Sequence, residues 1–326
     1  MRKLPVSYGA GLLLALNTLT CAAAGAGAAY PSKPMRWVVP YAAGGPTEVV
    51  GRVVGAKVSE TLGQQVVVDL RPGGNSILGS EIVARSPADG YTLLLALPAF
   101  AINPAVYSKL PYDTVRDFIP VTLLASASYL MLVGSGVPAR SPQELVALAK
   151  ARPGELAFGS GGTASPAHLA VELFMQKAGI RMNHIPYKGG APALTDLAGG
   201  QIQVLVNPAL SATPLIKSGR IRAIAVTGPS RSDLMPELPT VSEAGWPGYE
   251  VTTWYGLFAP AKTDMAVVQR IAGSVAAALR DPGVRSRLAA LDAEPAATTP
   301  EVFRKFIDAE LIRWRSVVQA AQIRAE

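Results

Sequence analysis

The chain has 326 residues, of which 49% are apolar and 16% charged, and its formal net charge is +7. Its basic residues are scattered, with no run of three Lys or Arg and no alternation with aromatic residues, which argues against nucleic-acid binding. The only cysteine is Cys21, so neither a disulfide framework nor a thiolate metal site is expected. A chain of this length favours two structural units over one.

The N-terminus has the features of a secretory signal peptide. A positively charged start is followed by the mostly apolar stretch Val6–Leu19 and by small residues up to Ala29. The apolar stretch is shorter than the roughly 18–20 residues that a membrane span needs. The residues before Cys21 do not match a lipoprotein signal. We therefore expect residues 1–29 to be a cleaved signal peptide and the mature protein to begin near Tyr30 and to be periplasmic.

Two glycine-rich turns each connect a predicted strand to a predicted helix. In the first, the strand Met35–Tyr41 leads through Ala42–Glu48 into a helix. In the second, the strand Glu155–Ser160 leads through Gly161–His168 into another helix. Glycine lets the main chain approach a ligand closely, and a helix N-terminus presents unpaired N–H groups with partial positive charge. Two such turns facing each other are expected to bind a carboxylate without an arginine.

The remaining elements alternate between strand and helix. Strands are predicted at Gln65–Leu70, Tyr91–Leu97, His184–Tyr187, Gln201–Val206 and Arg220–Thr227, and helices at Ser76–Ser86, Ala191–Ala198 and Ser211–Ser218. A further helix begins after Ser141 with Pro142 and Glu144. The C-terminal third is mainly helical, with little strand, at Ala266–Leu279, Pro282–Leu291 and Pro300–Ala321. This order predicts an α/β fold with largely parallel sheets, whose ligands lie beyond the carboxyl ends of the strands.

Several motifs occur in the order expected of one family. They are Val38–Glu48, Arg71–Asn75, Ala88–Leu93, Leu110–Asp113, Pro186–Ala193, Ala225–Thr227, Leu238–Gly245 and Pro247–Glu250. With these motifs the chain resembles the Bug-type extracytoplasmic solute receptors of tripartite tricarboxylate transporters, from about Tyr30 to the C-terminus. The resemblance implies a two-lobed periplasmic binding protein of the Venus-flytrap, type II-like class, with its ligand cleft between the lobes. Such a protein is not an enzyme: it captures a small organic carboxylate and delivers it to a membrane permease. We expect it to be a monomer without a cofactor.

The lobes are predicted to be discontinuous in sequence. The resemblance, together with two apolar strand-like crossings at Val121–Val133 and Glu250–Phe258, assigns residues 30–128 and 252–326 to the first lobe. Residues 129–251 form the second lobe in this interpretation.

The resemblance also implies the residues of the ligand site. The two turns hold one carboxylate through main-chain N–H groups and ordered waters, while hydroxyl and amide groups complete the lining and two aromatic residues form walls. The implied residues are Tyr41, Ala43, Gly44, Gly45, Thr47, Glu48, Ser160, Gly161, Thr163, Ser165, His168, Tyr187, Gly189, Asn207, Thr227 and Trp254. For His168, in the first turn of a helix, packing or loop orientation is a better interpretation than catalysis.

The chain departs from the family pattern at two positions. Glu48 stands where aspartate is usual, and Ala164 where glycine is common. Glu48 has two interpretations, a first-turn acid that complements the helix dipole or a direct partner of an amine, hydroxyl or water. Both departures affect the choice of ligand rather than the fold.

Other functions fit the sequence less well. Gly159–Ala164 matches a dinucleotide-binding pattern, but no acidic residue follows about 20 positions later. His168 and His184 are the only histidines, and no spacing supplies metal-ligating partners. An exported α/β hydrolase using Ser160 would lack the usual G-x-S-x-G turn. A receptor that signals to a membrane sensor would have the same fold, and the sequence does not separate it from a transport receptor.

Overall fold

The computed structural model describes Met1 and residues 30–324. The predicted signal peptide and Cys21 therefore lie outside the described residues, apart from Met1. Within residues 30–324, no helix combines the length and the apolar character needed to cross a bilayer.

Strands and helices alternate along the chain as predicted. The strands of the described region are β1 (Met35–Val39), β2 (Val66–Leu70), β3 (Thr92–Ala96), β4 (Phe118–Gly134), β5 (Ala157–Ser160), β6 (Asn183–Pro186), β7 (Val204–Pro208), β8 (Ile221–Val226), β9 (Thr252–Pro260) and β10 (Ala293–Pro295). The helices are α1 (Pro46–Leu62), α2 (Ile77–Ala84), α3 (Ala99–Val106), α4 (Pro142–Ala151), α5 (Pro166–Ala178), α6 (Gly190–Ala198), α7 (Ala209–Lys217), α8 (Met265–Ala278), α9 (Pro282–Ala289) and α10 (Pro300–Ala320).

The long strand β4 belongs to two sheets. Its first part, Phe118–Ser128, pairs with β9 in a sheet of order β2-β1-β3-β9-β4, to which β10 adds on β4. Its second part, from Tyr129 to Gly134, pairs with β7 and β8 in a second sheet that continues through β5 to β6. The chain thus passes from one sheet to the other inside β4, in the segment predicted as an apolar crossing.

Strand directions differ from the prediction of largely parallel sheets. β1 is parallel to β2 and β3, and β5 is parallel to β6 and β7. At the centre, β4 and β9 are antiparallel to each other, β4 is antiparallel to β7 and β8, and β9 is antiparallel to β3. β4 and β9 run antiparallel to their neighbours because they lie where the chain passes between the two sheets. Only strands joined through a helix in a β-α-β unit are parallel to each other.

The helix α3 was not predicted. Six of its eight residues are buried, including Phe100, Ile102 and Asn103. A helix that is apolar on nearly all sides has no amphipathic pattern to reveal it, and such helices are found in protein cores.

The last helix, which was predicted at Pro300–Ala321, packs one apolar side into the core. Phe303, Ile307, Trp314 and Val318 of α10 are all at most 2% exposed. Burial of each such side chain stabilises the fold by about 1.5–3 kcal/mol. The helix begins where predicted, because the Thr299 hydroxyl accepts a hydrogen bond from the Val302 N–H at 3.3 Å and Pro300 occupies the first helical position.

Candidate functional site

Four helix N-termini surround one cavity. The helix α1 follows β1, and the helices α5, α6 and α7 follow the parallel strands β5, β6 and β7. Between them lies a cavity of about 430 Å³, lined by Pro46, Tyr129, Gly161, Ser165, Pro166, Ala167, Gly190, Ala191, Asn207, Pro208, Leu210 and Ser211. Both glycine-rich turns reach it, so the structure brings together the two turns that the sequence singled out.

The first turn is closed by Glu48, the third residue of α1. Gly45 precedes the helix, and the Glu48 carboxylate reaches back to accept a hydrogen bond from the Gly44 N–H at 2.8 Å. Arg52, one turn further along α1, donates to the other oxygen of Glu48 at 2.7 Å. The Gly44 N–H and the Arg52 guanidinium hold the pKa of Glu48 below its usual range. Gly44 has a φ of 82°, a left-handed conformation that suits glycine.

The second turn is closed in the same manner by His168. The Ser165 hydroxyl caps α5 by accepting from the His168 N–H at 3.3 Å. The Nδ1 atom of His168 accepts a hydrogen bond from the Ala164 N–H at 3.0 Å, which requires this nitrogen to be unprotonated. Ala164 has a φ of 60° and is 2% exposed, so a buried non-glycine residue is held in the left-handed conformation.

A stacked histidine pair lies behind the second turn. The rings of His168 and His184 are parallel within 10° and their centroids are 3.6 Å apart. Burial, reinforced by the charge that His168 would carry, lowers the pKa of His184 to about 4. The Nε2 atom of His184 contacts the Ser160 hydroxyl at 2.7 Å, and Nε2 of His168 lies 3.4 Å from the Glu172 carboxylate. The turn is thus supported from behind by the two stacked imidazole rings.

The turns after β6 and β7 complete the cavity wall. Asn207 is 4% exposed, and its amide nitrogen donates to the Ser211 hydroxyl at 2.6 Å. A Cβ atom on Gly190 would lie 2.6 Å from the Asn207 side-chain oxygen, so glycine is needed there for close packing. The backbone of Gly161 approaches that of Gly189, which has a φ of 113° and caps α6. The three turns therefore pack directly against one another.

The sequence-predicted site residues fall into three groups by position. Gly161, Ser165 and Asn207 line the cavity, and Gly189 adjoins it. A second group supports or flanks the turns: Tyr41, Ala43, Gly44, Gly45, Thr47, Glu48, Thr163, His168 and Tyr187. In this group the Tyr41 hydroxyl accepts from the Leu97 N–H at 3.1 Å, and the Tyr187 hydroxyl donates to Asp196 at 2.7 Å. Burial and the Asp196 carboxylate raise the pKa of Tyr187 to about 12. The third group has no exposed surface and does not line the cavity.

Ser160 and Trp254 belong to this buried group and do not line the cleft, contrary to the prediction. Each side chain is fully buried. The Ser160 hydroxyl bonds to His184 and to the Gly162 main chain, while the Trp254 indole N–H donates to the buried Glu310 carboxylate at 2.9 Å. The Ser160–His184 contact resembles a nucleophile–base pair, but the buried serine is closed to a substrate, which removes the structural basis for a hydrolase.

Thr227, the last residue of this group, lies where the chain crosses between the sheets. Its hydroxyl accepts from the Tyr129 N–H at 2.9 Å and contacts the Val251 carbonyl at 2.7 Å. Its own main chain bonds to Tyr129 and Val251 as well. Because Thr227 is fully buried and its hydroxyl bonds to main-chain groups, it fixes the crossing point and does not line the cavity.

Several lining residues were missed by the sequence analysis. Tyr129 enters the site because it is the first β4 residue of the second sheet. Ala191, Leu210 and Ser211 belong to the first turns of α6 and α7, directly after the ends of β6 and β7. Ligands usually lie at the carboxyl ends of parallel strands, and this rule holds for the turns after β6 and β7 as well. Applied to those turns, it would have identified these residues.

The described residues contain no group of three or more His, Cys, Asp or Glu side chains arranged to hold a metal ion. The cavity lining likewise contains no Asp, Glu, Lys, Arg or His side chain. A ligand there meets main-chain groups, hydroxyls, one amide and apolar surface.

Comparison with known proteins identifies the family. Residues 50–323 match the family described as "Tripartite tricarboxylate transporter family receptor". The chain belongs to this family. It is 35% identical to Protein BugT of Bordetella pertussis over 292 residues, which cover 89% of this chain and 90% of BugT. The predicted Bug-type resemblance is confirmed, and the protein is a solute-binding receptor rather than an enzyme.

Solved structures of relatives share the fold of the receptor. An R. palustris protein with adipate has a TM-score of 0.78 and 35% identity, and the match covers 90% of this chain and 99% of that one. MatC from Rhodopseudomonas palustris with bound malate has a TM-score of 0.74 and 30% identity, with 89% and 100% covered. The predicted class, an α/β periplasmic binding protein with two lobes, is confirmed.

Proposed function

We propose that this receptor binds a small carboxylate-bearing solute in the cavity between α1, α5, α6 and α7 and delivers it to a membrane permease. The observation that carries the proposal is the convergence of both glycine-rich turns on one cavity of about 430 Å³. Helix N-termini supply main-chain donors and partial positive charge, which favour an anion. Relatives whose structures contain adipate and malate support a carboxylate as ligand.

The cavity lining offers a carboxylate hydrogen-bond donors but no charged side chain. A desolvated carboxylate needs several hydrogen-bond donors. Here main-chain N–H groups of the second turn, the Ser165 hydroxyl and the Asn207 amide provide donors without a counter-ion. The Tyr129 ring and the apolar side chain of Leu210 are left to contact the body of the solute.

We place the lobe boundaries where the chain crosses between the two sheets, in β4 and at the start of β9. β4 changes sheets between Ser128 and Tyr129, and β9 of the first sheet begins at Thr252. We therefore assign residues 30–128 and 252–326 to one lobe and residues 129–251 to the other. Saturation with ligand closes the lobes, so the radius of gyration in solution scattering should decrease; an unchanged value would show a rigid protein.

Export completes the proposed role. Removal of residues 1–29 by signal peptidase yields a periplasmic monomer that begins near Tyr30 and that does not bind nucleic acid. Mass spectrometry of the periplasmic protein tests this step by the mass of its N-terminal peptide.

A thermal-shift screen over mono-, di- and tricarboxylates, amino acids and aromatic acids tests the function. A ligand present at 100 times its Kd stabilises the native state by about 2.7 kcal/mol, which a melting curve detects readily. At least one acid should raise the Tm in a concentration-dependent manner. A screen in which sugars or amines shift the Tm and acids do not would contradict the proposal.

A further inference from the structure

Three helices in this chain begin with the same hydrogen-bonding arrangement. In α1, α4 and α5, proline is the first helical residue and the third residue reaches back to the N–H group two positions before the proline. In α1 this bond joins Glu48 to Gly44, and in α5 it joins His168 to Ala164. In α4 it joins Glu144 to the Arg140 N–H at 2.6 Å. The arrangement is a variant of the capping box, in which glutamate is the usual third residue.

The three helices differ in the charge of the third helical residue, which accepts this hydrogen bond. At α4 the acceptor is the exposed Glu144, and no residue of this helix start lines the cavity. At α1 the acceptor is Glu48, whose charge is balanced by Arg52 one turn later. At α5, whose first two residues line the cavity, the acceptor is the imidazole of His168.

Burial explains why the choice of acceptor matters at α5. His168 is 3% exposed and stacked on His184, so a carboxylate at this position would lie in a poorly solvated place beside the ligand. Like charges repel more strongly in a poorly solvated site than in bulk water. A neutral imidazole makes the same hydrogen bond without this repulsion, and its Nε2 side faces Glu172, one turn further from the ligand.

We propose that His168 is a positioning residue that holds the second turn in its binding conformation while keeping negative charge away from the bound carboxylate. The inference rests on the proposed carboxylate site. It assigns the ligand carboxylate to the N-terminus of α5 rather than to that of α1, where the acceptor Glu48 is itself a carboxylate. It also accounts for Ala164, since the bond to His168 compensates the left-handed backbone of a residue with a Cβ atom.

Two variants separate the hydrogen bond from the charge. His168→Glu retains an acceptor, as Glu48 and Glu144 show in this same chain, but adds a negative charge. His168→Gln offers a neutral acceptor. With a carboxylate found by the screen, calorimetry should show that His168→Glu binds at least tenfold more weakly than His168→Gln. The difference should shrink at high salt because the added repulsion is electrostatic.

Glu144→Gln is the matched control, because it removes a charge at the equivalent position of a helix that does not reach the cavity. It should leave affinity unchanged. Melting curves without ligand show whether both His168 variants fold. Equal affinities for the two His168 variants, or a difference that salt does not alter, would overturn the inference while leaving the proposed function intact. A wild-type protein that binds no carboxylate would overturn both.

Discussion

At the scale of single residues, glycines of the two turns keep the cavity free of side chains. Gly161 has no left-handed φ, and a Cβ atom there would make only ordinary contacts, at 3.5 Å from Gly189. Neither the backbone conformation nor neighbouring atoms therefore require glycine there, and in the proposed site Gly161 leaves space for the ligand. Gly45 is similar, since its Cβ would lie 3.6 Å from the Ala42 carbonyl.

Gly161→Val should abolish ligand binding with little effect on the Tm of the free protein, because the branched side chain fills the cavity. Calorimetry and melting curves measure the two effects. Gly273→Val, at an exposed position of α8 with open space around it, is the control and should bind normally. If Gly161→Val binds with wild-type affinity, the ligand site is elsewhere.

Ser165→Ala should lower both stability and affinity. Loss of the cap on α5 costs about 0.5–2 kcal/mol of unfolding free energy, and the lost hydrogen bond to the ligand costs about 1–2 kcal/mol of binding. Ser141 caps α4 in the same way, with the Glu144 N–H donating at 3.2 Å. Ser141→Ala should therefore lose similar stability, measured by urea unfolding, and no affinity. An equal loss of affinity in both variants would assign Ser165 a purely structural role.

At the scale of elements, the regular strand–turn–helix units could be predicted well from the sequence. The turns before α1 and α5 were identifiable because glycine, proline and a capping residue occur together with an apolar strand on one side. The short α3 was not, because its apolar residues are buried on nearly all sides. The burial of Ser160, Thr227 and Trp254 could not be predicted either. Their polar atoms pair with His184, Val251 and Glu310, which are 24 to 56 residues away in the chain.

His184 of β6 should make the free energy of unfolding depend on pH. Its pKa of about 4 lies below the ordinary value of 6.5, so between these values the unfolded chain binds more protons than the native protein. Stability should therefore be greatest above pH 6.5 and should fall as the pH drops towards 4, by up to about 1.4 kcal/mol per pH unit for one proton.

Urea unfolding of the wild type and of His184→Gln at pH 7, 6 and 5 measures this contribution. The carboxylates titrate in both proteins, so the difference between the two isolates His184. The wild type should lose more stability than the variant. Parallel losses would show that His184 titrates normally.

The crossing between the sheets should depend on the Thr227 hydroxyl. Thr227→Val keeps the shape but leaves the Tyr129 N–H and the Val251 carbonyl without this partner, at a cost of about 1–3 kcal/mol. Chemical denaturation measures the loss. Thr213→Val, whose hydroxyl bonds only within α7, is the control and should cost less. Equal effects would mean that the crossing is held by the main chain alone.

At the scale of the whole molecule, two sheets share β4, and the cavity lies where α1 of one meets three helix starts of the other. This arrangement brings both glycine-rich turns to one cavity although they are more than 100 residues apart in the chain. In the proposed function, closure of the lobes brings the α1 turn against a solute bound at α5.

The central claim is that the site recognises a carboxylate through uncharged donors at the α5 turn. Calorimetry of one bound acid against its methyl ester and its primary amide tests this claim most directly, because the three ligands differ only at that group. The account predicts that both neutral forms bind at least a hundredfold more weakly than the acid, while changes at the distal end of the solute have smaller effects. An ester that binds as tightly as the acid would contradict it.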